Sequence, residues 1–220
     1  MPHLKIDFVS DVSCPWCAIG LASLEQALQR LSGELSAELH CQPFELNPKM
    51  EPGGQDITEH LTQKYGSTPE EQAQIRERIR QRGAEVGFEF NPDGRGRIYN
   101  TFDAHRLLHW AHGVDRLKQL ALKKALLVAC HRERANMESP EVLLAAVQQA
   151  GLDPAQATRI LAGREYADEV RQQEAYYTSG GIRSVPAVII NERHLISGGQ
   201  PPDVFEAALR EIAQKMAQTG

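Results

Sequence analysis

Two cysteines three positions apart, Cys14 and Cys17, with Pro15 and Trp16 between them, are the residues of this chain best suited to chemistry. A thiolate is the nucleophile and the metal ligand, so what surrounds each sulfur decides what it does. Leu4, Ile6 and Phe8 alternate with Lys5 and Asp7, the period of a short strand. From Pro15 onward, Ile19, Leu21, Leu24, Ala27, Leu28 and Leu31 fall at helical spacing until Gly33. Proline suits a first helical position, where its missing N–H is no loss. The pattern therefore puts Cys14 at the mouth of a helix, where free N–H groups and about half a positive charge favour a thiolate. Cys17 lies one turn inside, on the same side. Such a pair carries out thiol–disulfide exchange: Cys14 attacks and Cys17 resolves the mixed disulfide. The competing readings are half of a zinc site and two inert core thiols. Zinc needs more ligands, but Cys41 and Cys130 are isolated and there is no second such pair, so no metal is expected. The preceding strand and Pro15 argue against inert thiols.

A second feature is Ser184-Val185-Pro186, which leads into the β-branched run Val188-Ile189-Ile190. A proline at a strand start is either trans at an edge strand or cis, and a redox pair in the same chain favours cis. It would expose the Val185 backbone beside the sulfurs, where an extended substrate can add as a strand. Asp11, close in sequence, either moves protons or closes a turn with its side chain. Gly199-Gln200 precedes a helix and either holds an anion, such as a glutathione carboxylate, or simply connects. Trp16 is expected at the active surface. Cys41, in a strand, and Cys130, on the apolar face of Leu126 and Leu127, read as core thiols.

The elements that hold these residues follow in order. After the first strand and helix, Ala37–Cys41 reads as a second strand, and a strand–helix–strand start favours a right-handed parallel crossover. Helices are expected near 57–65, 69–82, 101–112, 115–134, 140–150, 154–162 and 165–178. Asp56-Ile57-Thr58-Glu59 and Thr68-Pro69-Glu70-Glu71 both have capping-box form. Val185–Ile190 and His194–Ser197 form a hairpin across Asn191-Glu192-Arg193, and a last helix opens at Pro201-Pro202. His105, His109 and His112 share one helix at i, i+4 and i+7, but no Glu follows the first and no third ligand is evident.

Composition narrows the rest. The 220 residues hold 24 Lys+Arg against 29 Asp+Glu, a net charge of −5, which argues against a nucleic-acid partner. No apolar run suits a membrane span. The N-terminal segment lacks the h-region of a signal peptide, so a cytoplasmic location is expected. Four cysteines are too few for a disulfide scaffold.

Taken together, the strand, Cys14-Pro15-Trp16-Cys17, the Val185-Pro186 loop, the hairpin and the last helix resemble the thioredoxin fold. The long helical block between the two halves resembles the DsbA family. Ser10-Asp11-Val12-Ser13 before the motif, Asn100-Thr101-Phe102-Asp103-Ala104-His105-Arg106, and Gly198-Gly199-Gln200-Pro201 are similar to its FrnE-like, cytosolic branch. The resemblance covers essentially the whole chain. It implies an α/β architecture: a thioredoxin-like core from 1–50 and 180–220, split by an all-helical insertion over 51–179. It also implies oxidoreductase or isomerase activity, with Cys14 and Cys17 catalytic and Pro15, Trp16, Val185 and Pro186 guiding substrate. Asp11, Asn100, His105, Gly199 and Gln200 are further cleft candidates. Substrates would be thiol- or disulfide-containing proteins or small molecules. No cofactor is required, although glutathione fits as a redox partner, and monomer and homodimer are both open. Two alternatives stay open. One is a glutathione-dependent enzyme like the kappa-class transferases and 2-hydroxychromene-2-carboxylate isomerases, which typically carry serine where this chain has Cys14. The other is a non-catalytic binding module. Some FrnE-like members carry a second cysteine pair near the C-terminus; this chain has no cysteine after Cys130.

Overall fold

The computed structural model describes residues 1–219. A four-stranded sheet runs β2-β1-β5-β6, built from β1 (His3–Ser10), β2 (Ser36–Pro43), β5 (Ala187–Ile190) and β6 (His194–Ser197). β1 and β2 are parallel, with Ile6 opposite Leu39 and Phe8 opposite Cys41, and α1 (Pro15–Arg30) makes the crossover between them. β5 is antiparallel to β1 and β6 to β5. The central strand β1 is covered on both faces: Leu4, Ile6, Phe8 and Val9 have no exposed surface. Each such side chain contributes about 1.5–3 kcal/mol by leaving water. The Asp7 carboxylate, also buried on this strand, accepts a hydrogen bond from Gln42 Nε2 at 2.6 Å.

Between β2 and β5 lies the insertion: α2 (Ile57–Tyr65), α3 (Pro69–Glu85), α4 (Phe102–Val114), α5 (Arg116–His131), α6 (Pro140–Gln149), α7 (Pro154–Ala162) and α8 (Ala167–Ser179). It is not all-helical. Gln55–Asp56 (β3) pairs antiparallel with Arg97–Ile98 (β4), a ribbon too short to show an alternating pattern in sequence. The chain ends in α9 (Pro202–Thr219), packed against α1. This is a thioredoxin-like fold with a helical insertion.

Two apolar clusters result. One joins the sheet to α1 and α9 through Leu21, Leu24, Phe205 and Leu209. The other fills the helical block with Leu107, Leu122, Leu126, Leu143 and Ile160, and takes in Val12, two residues before Cys14. Helix α5 serves both, since Leu127 belongs to the first cluster and Leu126 to the second. The active-site loop thus sits on the seam between them.

Several helix starts follow their side-chain caps. Thr68 and Glu71 form a reciprocal capping box. Asp56 accepts from the amides of Thr58 and Glu59, but the Glu59 carboxylate turns outward to Gln63 instead of returning to the cap. Helix α8 begins two residues later than its pattern suggests, because Tyr166 adopts a left-handed φ of 63°. Helix α3 runs past its expected end through Gly83, where a Cβ would meet the Phe90 ring at 2.5 Å.

Candidate active site

Cys14 is the N-cap of α1, with extended backbone (φ −91°, ψ 116°), and Pro15 opens the first turn. No acidic residue lies in that turn, so nothing there opposes the helix dipole. Cys14 is 4% exposed and Cys17 is fully buried; both are free thiols. The Cys14 thiol donates to the Val185 carbonyl at 3.5 Å, and the Val185–Pro186 peptide is cis. Two glycines allow this approach. A Cβ on Gly20 would lie 2.9 Å from Pro186 Cγ, and one on Gly199 would lie 2.9 Å from the Trp16 carbonyl.

The two sulfurs are driven apart electrostatically. The Cys17 thiol donates to Cys14 and lowers its pKa; burial opposes this, and the amides of Cys17 and Trp16 add to the lowering. Burial pushes the Cys17 thiol well up, reinforced by its donation to Cys14 and by the Cys14 charge. The Lys123 charge pulls Cys17 the other way. Lys123 is itself fully buried, and its Nζ has no hydrogen-bond partner.

Asp11 lies beneath the motif, 1% exposed. Its Oδ1 accepts from the Ser13 amide and the Thr101 hydroxyl, both at 2.9 Å, and its Oδ2 from the Leu46 amide at 2.7 Å. His105 Nε2 lies 3.6 Å from Oδ1. Burial alone would raise the Asp11 carboxyl, but His105 and the Leu46 and Ser13 amides outweigh it and bring it to about 2. One carboxylate thereby ties the motif loop, the segment after β2 and the start of α4 together. Its charge also works against the Cys14 thiolate.

A cleft of about 740 Å³ opens over Cys14. Ser13, Cys14, Pro15, Trp16 and Val185 form its floor, and Leu61, Tyr65, Ile75, Ile79 and Phe90 its apolar wall. Cys14, Pro15, Trp16 and Val185 therefore come together as the sequence suggests. Pro186 does not line the cleft; it packs behind the floor against Gly20.

The further candidates also lie outside the lining, each for a local reason. Asp11 and His105 are buried beneath the floor as neighbours. Asn100 precedes the N-cap of α4: its Oδ1 accepts from the Phe102 amide and its Nδ2 donates to the Met50 carbonyl. Gly199 is pressed against Trp16 and Gly20, while Gln200 Nε2 donates to the Ser197 carbonyl. What sequence reasoning missed is a cationic set on the lining, Lys64, Arg76, Arg95 and Arg183 with His60. The only sequence hint was Ile75 and Ile79 at i, i+4 in the otherwise polar α3.

The remaining thiols are held apart from this cleft. Cys41 sits in β2 with its thiol pushed up to about 11 by burial. Cys130, on α5, is also raised by burial and accepts from Arg95 Nη1 at 3.5 Å. Next to it, the buried His131 donates from Nε2 to the Val12 carbonyl at 2.9 Å; burial pushes its pKa well below the usual range. Among the described residues, no cluster of three His, Cys, Asp or Glu is arranged to hold a metal. His109 turns to Gln173 and His112 to His40. No helix among the described residues is long and apolar enough to cross a membrane.

Known proteins resemble this chain in sequence and fold. The chain is 27% identical over 214 residues to the uncharacterized protein YwbO of Bacillus subtilis (strain 168), covering 97% of this chain and 98% of that one. The crystal structure of the probable DsbA oxidoreductase SCO1869 from Streptomyces coelicolor matches with 30% identity and a TM-score of 0.86, over 97% of this chain and 91% of that one. The cytosolic disulfide reductase DsbM from Pseudomonas aeruginosa, solved with GSH, shares the fold at 18% identity and a TM-score of 0.64, over 96% and 99% of the two chains. The DSBA-like thioredoxin domain matches residues 5–210, and the chain belongs to that family.

Proposed function

We propose that this protein is a thiol–disulfide oxidoreductase in which Cys14 attacks and Cys17 resolves. The observation that carries this reading is the asymmetry of the pair: Cys14 caps a helix on the cleft floor, while Cys17 lies fully buried one turn behind it. The Cys14 thiolate attacks one sulfur of a substrate disulfide, forming a mixed disulfide and releasing the other half as a thiolate. The Cys17 proton leaves and its sulfur attacks Cys14, releasing the second half and closing the Cys14–Cys17 disulfide. Two electrons pass from the dithiol to the substrate, and the reverse sequence oxidises a dithiol substrate. Pro15, Trp16 and Val185 border the reacting sulfur, and the Val185 carbonyl holds the Cys14 thiol until it ionises. Pro186 supports Val185 from behind.

No cofactor is needed for this cycle, since the electrons reside in the two thiols. Glutathione is the proposed redox partner and the cytoplasm the proposed compartment; DsbM, a cytosolic disulfide reductase solved with GSH, supports both. Favouring the Cys14 thiolate stabilises the dithiol form and makes the disulfide a better oxidant. The test is trapping. Cys17→Ala is expected to accumulate mixed disulfides through Cys14, and Cys14→Ala to accumulate none. Equal trapping by both variants would overturn the assignment. Turnover of a chromene substrate with glutathione that survives Cys17→Ala would indicate a glutathione-dependent isomerase instead.

A further inference from the structure

The protein as a whole is acidic, yet the cleft above Cys14 is not. Lys64, Arg76, Arg95 and Arg183 all line it, and the one carboxylate on its surface, Glu45, is already paired with Arg171. Most cations elsewhere in the molecule are neutralised in ion pairs, such as Arg30 with Asp203, Arg80 with Glu77, Lys124 with Glu25 and Arg210 with Glu34. The four cleft cations have no carboxylate partner among the described residues. Lys64 Nζ donates to the Leu46 carbonyl and the Asn47 side chain, Arg95 to Ser13 Oγ and Cys130 Sγ, and Arg183 to the Thr178 carbonyl. Those are neutral acceptors, which leave the charges uncompensated. Between the cations, Leu61, Ile75, Ile79 and Phe90 supply an apolar wall. The volume of about 740 Å³ falls in the range of small-molecule sites, about 300–1,000 Å³.

We infer that this cleft selects small disulfides and thiols that carry carboxylates beside an apolar group. The inference rests on Cys14 being the attacking sulfur. A carboxylate-bearing disulfide R–S–S–R enters with its apolar part on the α2–α3 wall and its charges toward Lys64, Arg76 and Arg183. Cys14 forms the mixed disulfide and expels R–S⁻; Cys17 then expels the second R–S⁻ and leaves the enzyme disulfide. Two electrons have moved to the substrate, and an external thiol must return them. Cations in a walled cleft concentrate such anions locally, by about tenfold or more.

The test uses the pre-reduced full-length protein and two aromatic disulfides. One is 5,5′-dithiobis(2-nitrobenzoate), with a carboxylate on each ring; the other is the neutral 4,4′-dithiodipyridine. Single-turnover rate constants with each, divided by those of a free model thiol, give an anion-over-neutral ratio. That ratio is expected to exceed one and to fall with added salt. It should drop about tenfold in Lys64→Gln/Arg76→Gln/Arg183→Gln, the loss of the focusing effect. Arg78→Gln, which removes a charge from α3 away from the cleft, should leave the ratio unchanged. An unchanged ratio in the triple variant, or an equal drop in Arg78→Gln, overturns the selectivity. A disulfide-linked acidic peptide that reacts faster than the small dianion overturns the choice of a small ligand. If Cys14 reacts with neither probe faster than a model thiol, the reading of Cys14 as attacker falls, and the selectivity falls with it.

Discussion

Cys14 and Cys41 are almost equally hidden, 4% and 5% exposed, yet their surroundings pull their thiols in opposite directions. Cys14 accepts a hydrogen bond from the Cys17 thiol and faces the amides of the first turn of α1, and its pKa falls. Cys41 sits in β2 with no such donors, and burial drives it to about 11. Cys130, in the last turn of α5, follows Cys41. Accessibility therefore does not sort these thiols; the neighbouring Cys17 thiol and the amides at a helix start do. Cys17 falls between the two groups: buried like the core thiols, but within reach of the attacker.

The largest expected effect follows directly. Cys14→Ser should abolish disulfide exchange, because a hydroxyl at this site cannot ionise near neutral pH. Cys41→Ala should leave exchange rates within about twofold, in keeping with a buried thiol acting as a small hydrophobe. Stopped-flow rates with a chromogenic disulfide check both. Comparable losses in the two variants would break the division.

Asp11→Asn sharpens the comparison from below. The Asp11 carboxyl stands at about 2 when folded, against 3.8 for the free side chain. A depressed pKa contributes stability above about pH 4, and that contribution is lost as pH falls toward 2. A shift of this size is worth about 2 kcal/mol. The variant should lose stability of that order at pH 7, with the deficit vanishing in the acid window, as urea midpoints across pH would show. Asp11 also opposes the Cys14 thiolate, so the same variant should lower the Cys14 pKa further, read from thiolate absorbance. A pKa that rises instead would mean that the Asp11 contacts to Ser13 position Cys14 more than its charge disfavours it.

The sulfur chemistry could be read from the sequence because it is local. A strand, a turn, Pro15 and a CxxC at a helix start all lie within one short stretch, and Val185-Pro186 precedes a β-branched run. The cleft could not be read that way. Its wall comes from α2, α3 and Phe90 in the segment after α3, Arg95 from the loop before β4, and Arg183 from the turn before β5, brought together only by tertiary packing. His105 shows the same limit. As part of the family-like segment Asn100–Arg106 it suggested a cleft group, but its partner is Asp11, far away in sequence and buried beneath the floor. The β3–β4 ribbon escaped notice because two residues per strand carry no periodicity.

Lys123 connects the sulfurs that do not attack. Its charge lowers Cys17, Cys41 and Cys130 alike, and its Nζ is buried without a hydrogen-bond partner. Leaving a polar group in that state costs at least about 1–3 kcal/mol, more when it is charged. Lys123→Met keeps the volume and removes the penalty, so its urea midpoint should rise by a stability of that order, with an unchanged m-value. Without the nearby charge the Cys17 thiolate becomes harder to form, so a mixed disulfide on Cys14 should decay more slowly. A variant that gains stability but resolves at the wild-type rate would confine Lys123 to packing.

The smallest effect is expected at Cys130, where the comparison is most exposed to failure. Cys130 Sγ accepts from Arg95 Nη1 at 3.5 Å, and the same nitrogen donates to Ser13 Oγ at 3.0 Å, one residue before Cys14. A physical link thus runs from a core thiol to the motif. The link is carried by Arg95, however, and its shorter bond to Ser13 survives when the sulfur is removed. Cys130→Ala should therefore cost about 1 kcal/mol, the loss of one small buried group, with exchange rates within about twofold. A loss of exchange approaching that of Cys14→Ser would show that the sulfur of Cys130 sets the motif loop, and the boundary between working and core thiols would have to move to α5.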